Sequence, residues 1–186
     1  MAGLLTALGY VHVRELVRGQ AALLEIESET ARSSDIDIAF LLSSAERFER
    51  SIALYKVRHA SPLSVIIAST IDHASEQIVS FGIDLSDDEA TKKALLDLVG
   101  KLQYLQHASK LPPPDEFFPD FSLRADFRRG QLGRGNLEQS GATFEQVKAY
   151  LQASGKDAFF VNTTPDDIWE TGTFISGTVL LAKVAY

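Results

Sequence analysis

Apolar positions change their spacing several times along the chain, and each change marks a predicted element. Between Tyr10 and Glu27, Val11 and Val13 precede a glycine-centred turn (Arg18-Gly19-Gln20), and Leu23, Leu24 and Ile26 follow it, the pattern of a β-hairpin. Asp35-Ile36-Asp37-Ile38 alternates with period two. Ser34 can nevertheless cap a run through Phe40, Leu41, Ala45 and Phe48, and a helix over about 37–50 is favoured over a strand. Ser51 to Val57 reads as a strand. Ser61 as N-cap and Pro62 at the first helical position then introduce Leu63, Ile66, Ile67, Ile71, Ala74 and Ile78, whose spacing predicts a helix ending near Ser80.

The clearest helix follows. Ser86 caps it, Glu89 stands three residues on as in a capping box, and Leu95, Leu96, Leu98, Val99, Leu102 and Leu105 form its apolar side. Pro112, Pro113 and Pro114 end it and open a Pro-, Phe-, Arg- and Gly-rich loop over about 111–140. A short helix, capped by Ser140 or Thr143 and stopped by Gly155, precedes two strands, Ala158 to Val161 and the run from Gly172 to Tyr186. The predicted fold class is α+β. One mixed or antiparallel sheet, built from the N-terminal hairpin, the strand near 51–57 and the C-terminal strands, is packed by three to four helices in a single domain over 1–186.

Composition narrows the function classes. The chain has 186 residues, 45% hydrophobic and 23% charged, which suits a packed core. A net charge of −7 repels phosphate backbones and argues against non-specific nucleic-acid binding. There is no cysteine, so disulfides and thiolate chemistry are excluded. No apolar run is long enough for a membrane-spanning helix, and the expected location is cytoplasmic.

Against this acidic background, Arg124 to Asn136 holds Arg124, Arg128, Arg129 and Arg134 with Gly130, Gly133 and Gly135. The arginines could pair phosphate oxygens, yet neither the P-loop triplet nor G-x-G-x-x-G spacing is present. Upstream, Phe117, Phe118 and Phe121 add aromatic anchors of the kind that interfaces use. His12, His59, His73 and His107 show no zinc spacing, and no G-x-S-x-G elbow occurs.

On a strand, Asp35 and Asp37 would share a face and could hold a divalent cation. Ser34 to Ile38 resembles the "SDIDI" signature of nucleotidyltransferases, which implies magnesium held against a triphosphate. The Gly-Ser pair that this family places upstream is missing here, and cap or surface acids are the favoured reading.

Two functions follow. The main expectation is a non-catalytic, self-associating protein-interaction module without a cofactor. It would contact its protein partner, or a second copy, through Phe117, Phe118, Phe121, Arg124, Arg128, Arg129 and Arg134. The alternative is a metal-dependent enzyme or sensor for a nucleotide or phosphate, with Asp35 and Asp37 holding Mg²⁺ and the 124–134 arginines on the phosphates.

Overall fold

A computed structural model describes residues 4, 8–9, 11, 13–14, 22–48, 50–59, 61–71, 77–108, 132–137, 141–162 and 177–183. Its strands are β1 (Ala22–Ile26), β2 (Ser51–Arg58), β3 (Ser64–Ile71), β4 (Val79–Asp84), β5 (Leu132–Gly135), β6 (Lys156–Asn162) and β7 (Gly177–Lys183). Its helices are α1 (Ser28–Ser34), α2 (Ile36–Glu46), α3 (Asp87–Ala108) and α4 (Phe144–Ala153). Five strands form one mixed sheet in the order β4-β3-β2-β1-β5, while β6 and β7 make a separate antiparallel pair. Neighbours from β1 to β4 are antiparallel, and β5 joins the edge parallel to β1, with Leu23 opposite Leu132 and Ile26 opposite Gly135. The α+β class is as expected, but the C-terminal strands, expected in the main sheet, pair with each other instead.

Helices α1, α2 and α3 cover one face of the sheet. Ile26, Leu54 and Ile66 meet Ile38, Leu42, Leu95 and Leu98 there, all almost fully buried. Each such side chain contributes about 1.5–3 kcal/mol by leaving water. Helix α3 crosses β4 so closely that a Cβ on Gly82 would lie 1.8 Å from the Ala90 carbonyl oxygen. On the other face, Leu23, Val57, Val65 and Ile67 pack with Val13. A third cluster, of Leu4, Leu8, Leu63, Val147 and Leu151, ties α4 and the inward Val179 and Leu181 of β7 to the main sheet.

Two predicted elements differ. The helix expected over 61–80 is strand β3. Its Val65, Ile66, Ile67 and Ala68 are all fully buried, because a central strand covered on both faces needs an unbroken apolar run. Such a run contains helical spacings by accident, and β-branched residues settle it as a strand. Pro62 sits in the bend before β3. The hairpin expected from Tyr10 is also absent as drawn. Val11, Val13 and Arg14 are helical, while the second arm, β1, forms and pairs with β2 and β5 instead.

Helix α2, over 36–46, agrees with the favoured helix, but its cap is Asp35 and not the expected Ser34, whose Oγ donates to the Ala31 carbonyl instead. Two other caps match. Ser86 caps α3, its Oγ accepting from Glu89 N at 3.3 Å. Thr143 caps α4 in a reciprocal capping box with Gln146, and Gly155 follows its end at φ 59.

Candidate functional site

The sheet brings together residues that are far apart in sequence around a cleft of about 860 Å³. Leu24 of β1, Lys56 and Arg58 of β2, His59 and Ser61 in the turn to β3, and Ser64 at its start line one part. Leu85 and Asp87 at the entry to α3, Arg134 to Asn136 at the end of β5, and Gly141, Ala142 and Gln146 ahead of and within α4 complete it. The Ala142 N–H donates to the Leu85 carbonyl at 2.7 Å and ties the α4 approach to the start of α3.

Gly133 and Gly135 have a packing reason to be glycine. A Cβ on either would fall within 2.8 Å of the Leu24 side chain, which lies across both. Gly133 and Gly135 therefore let β1 and β5 close up beside the cleft.

Its lining includes a buried charge network. Asp87, with only 4% of its side chain exposed, accepts from Lys56 Nζ at 2.8 Å on Oδ2 and from Ser64 Oγ at 2.5 Å on Oδ1. Its place in the first turn of α3 favours a negative charge. Lys56 is itself largely buried, at 18% exposure. Beside this pair, His59 Nδ1 accepts from Ser61 N–H at 3.2 Å, which leaves the proton of a neutral imidazole on Nε2. Ser61 Oγ in turn accepts from Leu63 N–H at 3.1 Å. Lys56, Arg58 and Arg134 against the single carboxylate of Asp87 make the lining net positive, in a chain whose overall charge is −7. Such a site concentrates an anion from solution.

The residues expected from sequence divide around this cleft. Arg134 lines it, 89% exposed and 3.7 Å from Glu27. Phe117, Phe118, Phe121, Arg124, Arg128 and Arg129 lie outside the described residues. Asp35 and Asp37 sit at the start of α2 and do not line the cleft. Asp35 Oδ1 accepts from Asp37 N–H at 2.7 Å and from Ile38 N–H at 3.4 Å, and its Oδ2 lies 3.4 Å from Lys92 Nζ. The Asp37 amide, with help from Lys92, holds the Asp35 carboxyl below the usual aspartate range. Lys92 is raised in turn, first by Glu89 and then by Asp35. The shared-face geometry needed a strand, and here the pair spans a helix cap.

Sequence reading missed Lys56, Arg58, His59, Ser64 and Asp87. A faint signal was present, since Lys56, Arg58 and His59 are basic positions at the end of an otherwise apolar strand.

No protein-family model matches this chain, and no curated protein matches it. Solved structures do. The structure of YcaO from Methanopyrus kandleri bound with AMPPCP and Mg²⁺ matches with a TM-score of 0.62 at 16% identity, covering 97% of this chain and 50% of the other. A heterocyclase in complex with substrate and cofactor matches with a TM-score of 0.62 at 11% identity, covering 95% of this chain and 25% of that one. At these identities the likeness is one of fold, and the chain spans half or less of each neighbour. It still corrects two expectations. A non-catalytic protein-interaction module and the absence of a cofactor both leaned on finding no complete catalytic motif. A fold carried by a nucleotide- and magnesium-bound protein and by a heterocyclase overturns that ground. A site gathered from four strands and two helix entries leaves no contiguous motif to find.

Among the described residues, no helix is long and apolar enough to cross a membrane.

Proposed function

We propose that this chain is an ATP-dependent enzyme, or the part of one that grips the nucleotide, and that the Lys56–Asp87 cleft takes the phosphates. The observation that carries the reading is the likeness, over 97% of the chain, to a protein bound with AMPPCP and Mg²⁺. It is supported by a cleft whose charged lining is three cations to one carboxylate. Lys56, Arg58 and Arg134 would neutralise phosphate oxygens, the arginines in two-point contacts and Lys56 as a point charge. Leu24, Val57, Pro62, Leu63 and Leu85 offer the less polar part of the nucleotide an apolar wall. Heterocycle formation is the reaction that the second neighbour brings to this reading. A cytoplasmic setting, where ATP is plentiful, belongs to it as well.

The described side chains do not by themselves fit a magnesium ion. No group of three or more His, Asp or Glu residues among them could hold one, and both oxygens of Asp87 already accept hydrogen bonds. Magnesium commonly takes much of its coordination from phosphates and water. The reading therefore assigns the ion to the incoming nucleotide.

Thermal unfolding with AMPPCP and Mg²⁺ tests this. Ligand at 100 times its Kd stabilises by about 2.7 kcal/mol, roughly 5–11 °C at this chain length. The shift should shrink in Lys56→Met and in Arg134→Met. Equal shifts in the wild type and both variants would remove the cleft from the reading, and no shift with any nucleoside triphosphate would remove the reading itself.

A further inference from the structure

We infer that Asp87 is the specificity-determining residue of the cleft, an internal counter-ion that makes Lys56 available to polyphosphates and withholds it from single phosphate groups. The inference rests on the reading of the cleft as an anion site. Its ground is the way Asp87 divides its two oxygens. Oδ2 holds Lys56 at 2.8 Å, while Oδ1 is held separately by Ser64 Oγ at 2.5 Å. Lys56 can leave without stripping Asp87 of support, because the Ser64 bond remains and the α3 N-terminus continues to favour the negative charge. If Lys56 were the sole partner of a carboxylate this buried, drawing it away would be prohibitive.

Lys56 is suited to the exchange. Its four-carbon stem is flexible, its ammonium carries three donors, and it stands in the cleft lining with Arg58 and Arg134. An anion entering the cleft therefore competes with Asp87 for the ammonium and is also repelled by the same carboxylate. A single phosphate group meets that repulsion with few compensating contacts. A di- or triphosphate reaches more of the three cations at once and offsets it. Asp87 thereby sets a threshold on ligand charge, and the buried pair serves discrimination.

Isothermal titration of the full chain with orthophosphate, pyrophosphate and tripolyphosphate, at fixed ionic strength, tests the inference. The wild type should prefer tripolyphosphate to orthophosphate. In Asp87→Asn, which removes the charge and keeps one acceptor oxygen where Asp87 has two, orthophosphate should bind on the order of tenfold tighter, so that the preference narrows. In Lys56→Met, tripolyphosphate affinity should fall and the preference should narrow from the other side. Orthophosphate binding that is unchanged or weaker in Asp87→Asn would overturn the inference. If Asp87→Asn does not fold, the double variant Lys56→Met/Asp87→Asn, which removes both charges, takes its place. It should show no more tripolyphosphate preference than Lys56→Met alone, and a larger one would overturn the inference. Wild type that binds AMPPCP but does not prefer tripolyphosphate to orthophosphate sinks this inference alone. Wild type that binds neither AMPPCP nor any of the three anions sinks the cleft reading with it.

Discussion

Replacing Gly82 with alanine should break the tightest glycine contact among the described residues. Gly82 lies in β4 under α3, and its missing Cβ would sit 1.8 Å from the Ala90 carbonyl oxygen and 2.6 Å from the Ala94 nitrogen, where ordinary contact begins at 3.4 Å. Both neighbours are helix backbone, so no rotamer change can relieve the overlap. The helix would have to lift off the sheet, and with it Ala94, Leu95 and Leu98, which are fully buried. Overpacking of this kind costs about 3 kcal/mol or more, a large part of a stability on the order of 5–15 kcal/mol. At this chain length that is a fall of roughly 6–12 °C in Tm.

Gly100, on the same helix, is the internal control. A Cβ there meets nothing within 4 Å, so Gly100→Ala should stabilise by about 0.5–1 kcal/mol through helix propensity. Urea unfolding of the two variants, with similar m-values, measures both effects. The reasoning is refuted if Gly82→Ala stays within about 1 kcal/mol of wild type, or if both variants lose stability alike.

Two further substitutions address the caps. Asp35→Asn should lower Tm near neutral pH, because the folded state holds the Asp35 carboxyl below its ordinary value of 3.8 and so favours the charged form. That contribution is present above the unfolded value and disappears as pH falls through the folded one, so the gap between wild type and variant should close in acid; a gap that persists there assigns the loss to something other than charge. Thr143→Ala removes the Oγ that accepts from Gln146 N–H and should cost about 1 kcal/mol in urea unfolding, with Thr143→Ser restoring most of it. No rescue by serine would point to the lost methyl group instead.

What the sequence made legible follows from the range of the forces involved. Caps are local hydrogen-bond devices, and Ser86, Thr143 and Gly155 could be read because each acts within a few residues of itself. Burial on two faces is not local. Val65, Ile66, Ile67 and Ala68 give the stretch helical spacings on paper because a central strand buried on both faces takes an unbroken apolar run, and only the neighbours β2 and β4 make that evident. The candidate site was the least legible. Lys56 and Asp87 lie 31 residues apart and meet because β2 and the entry to α3 share one end of the sheet. The Asp35 and Asp37 pair drew notice for a spacing that has meaning on a strand, whereas in this fold the same spacing builds a helix cap. Arg134 was found for its charge, and the strand geometry that puts it beside the cleft was invisible until β5 was seen to pair with β1.

That parallel pairing also carries a timetable. The turns from β2 to β3 and from β3 to β4 bring near neighbours together, whereas β5 must find β1 across most of the chain, Leu132 against Leu23. Long closures are slow, because the chain loses its freedom before the contacts reward it. The antiparallel meander should therefore form first and the β1–β5 edge last, and with that edge comes Arg134 at the cleft. During refolding, protection from hydrogen exchange of the β5 amides that bond to β1 should trail that of the Ile66 amide, and simultaneous protection would contradict this order. A newly made chain would then carry much of its core before Arg134 reaches the cleft, and an anion of the proposed kind present during folding would act on the final step by trapping the closed edge.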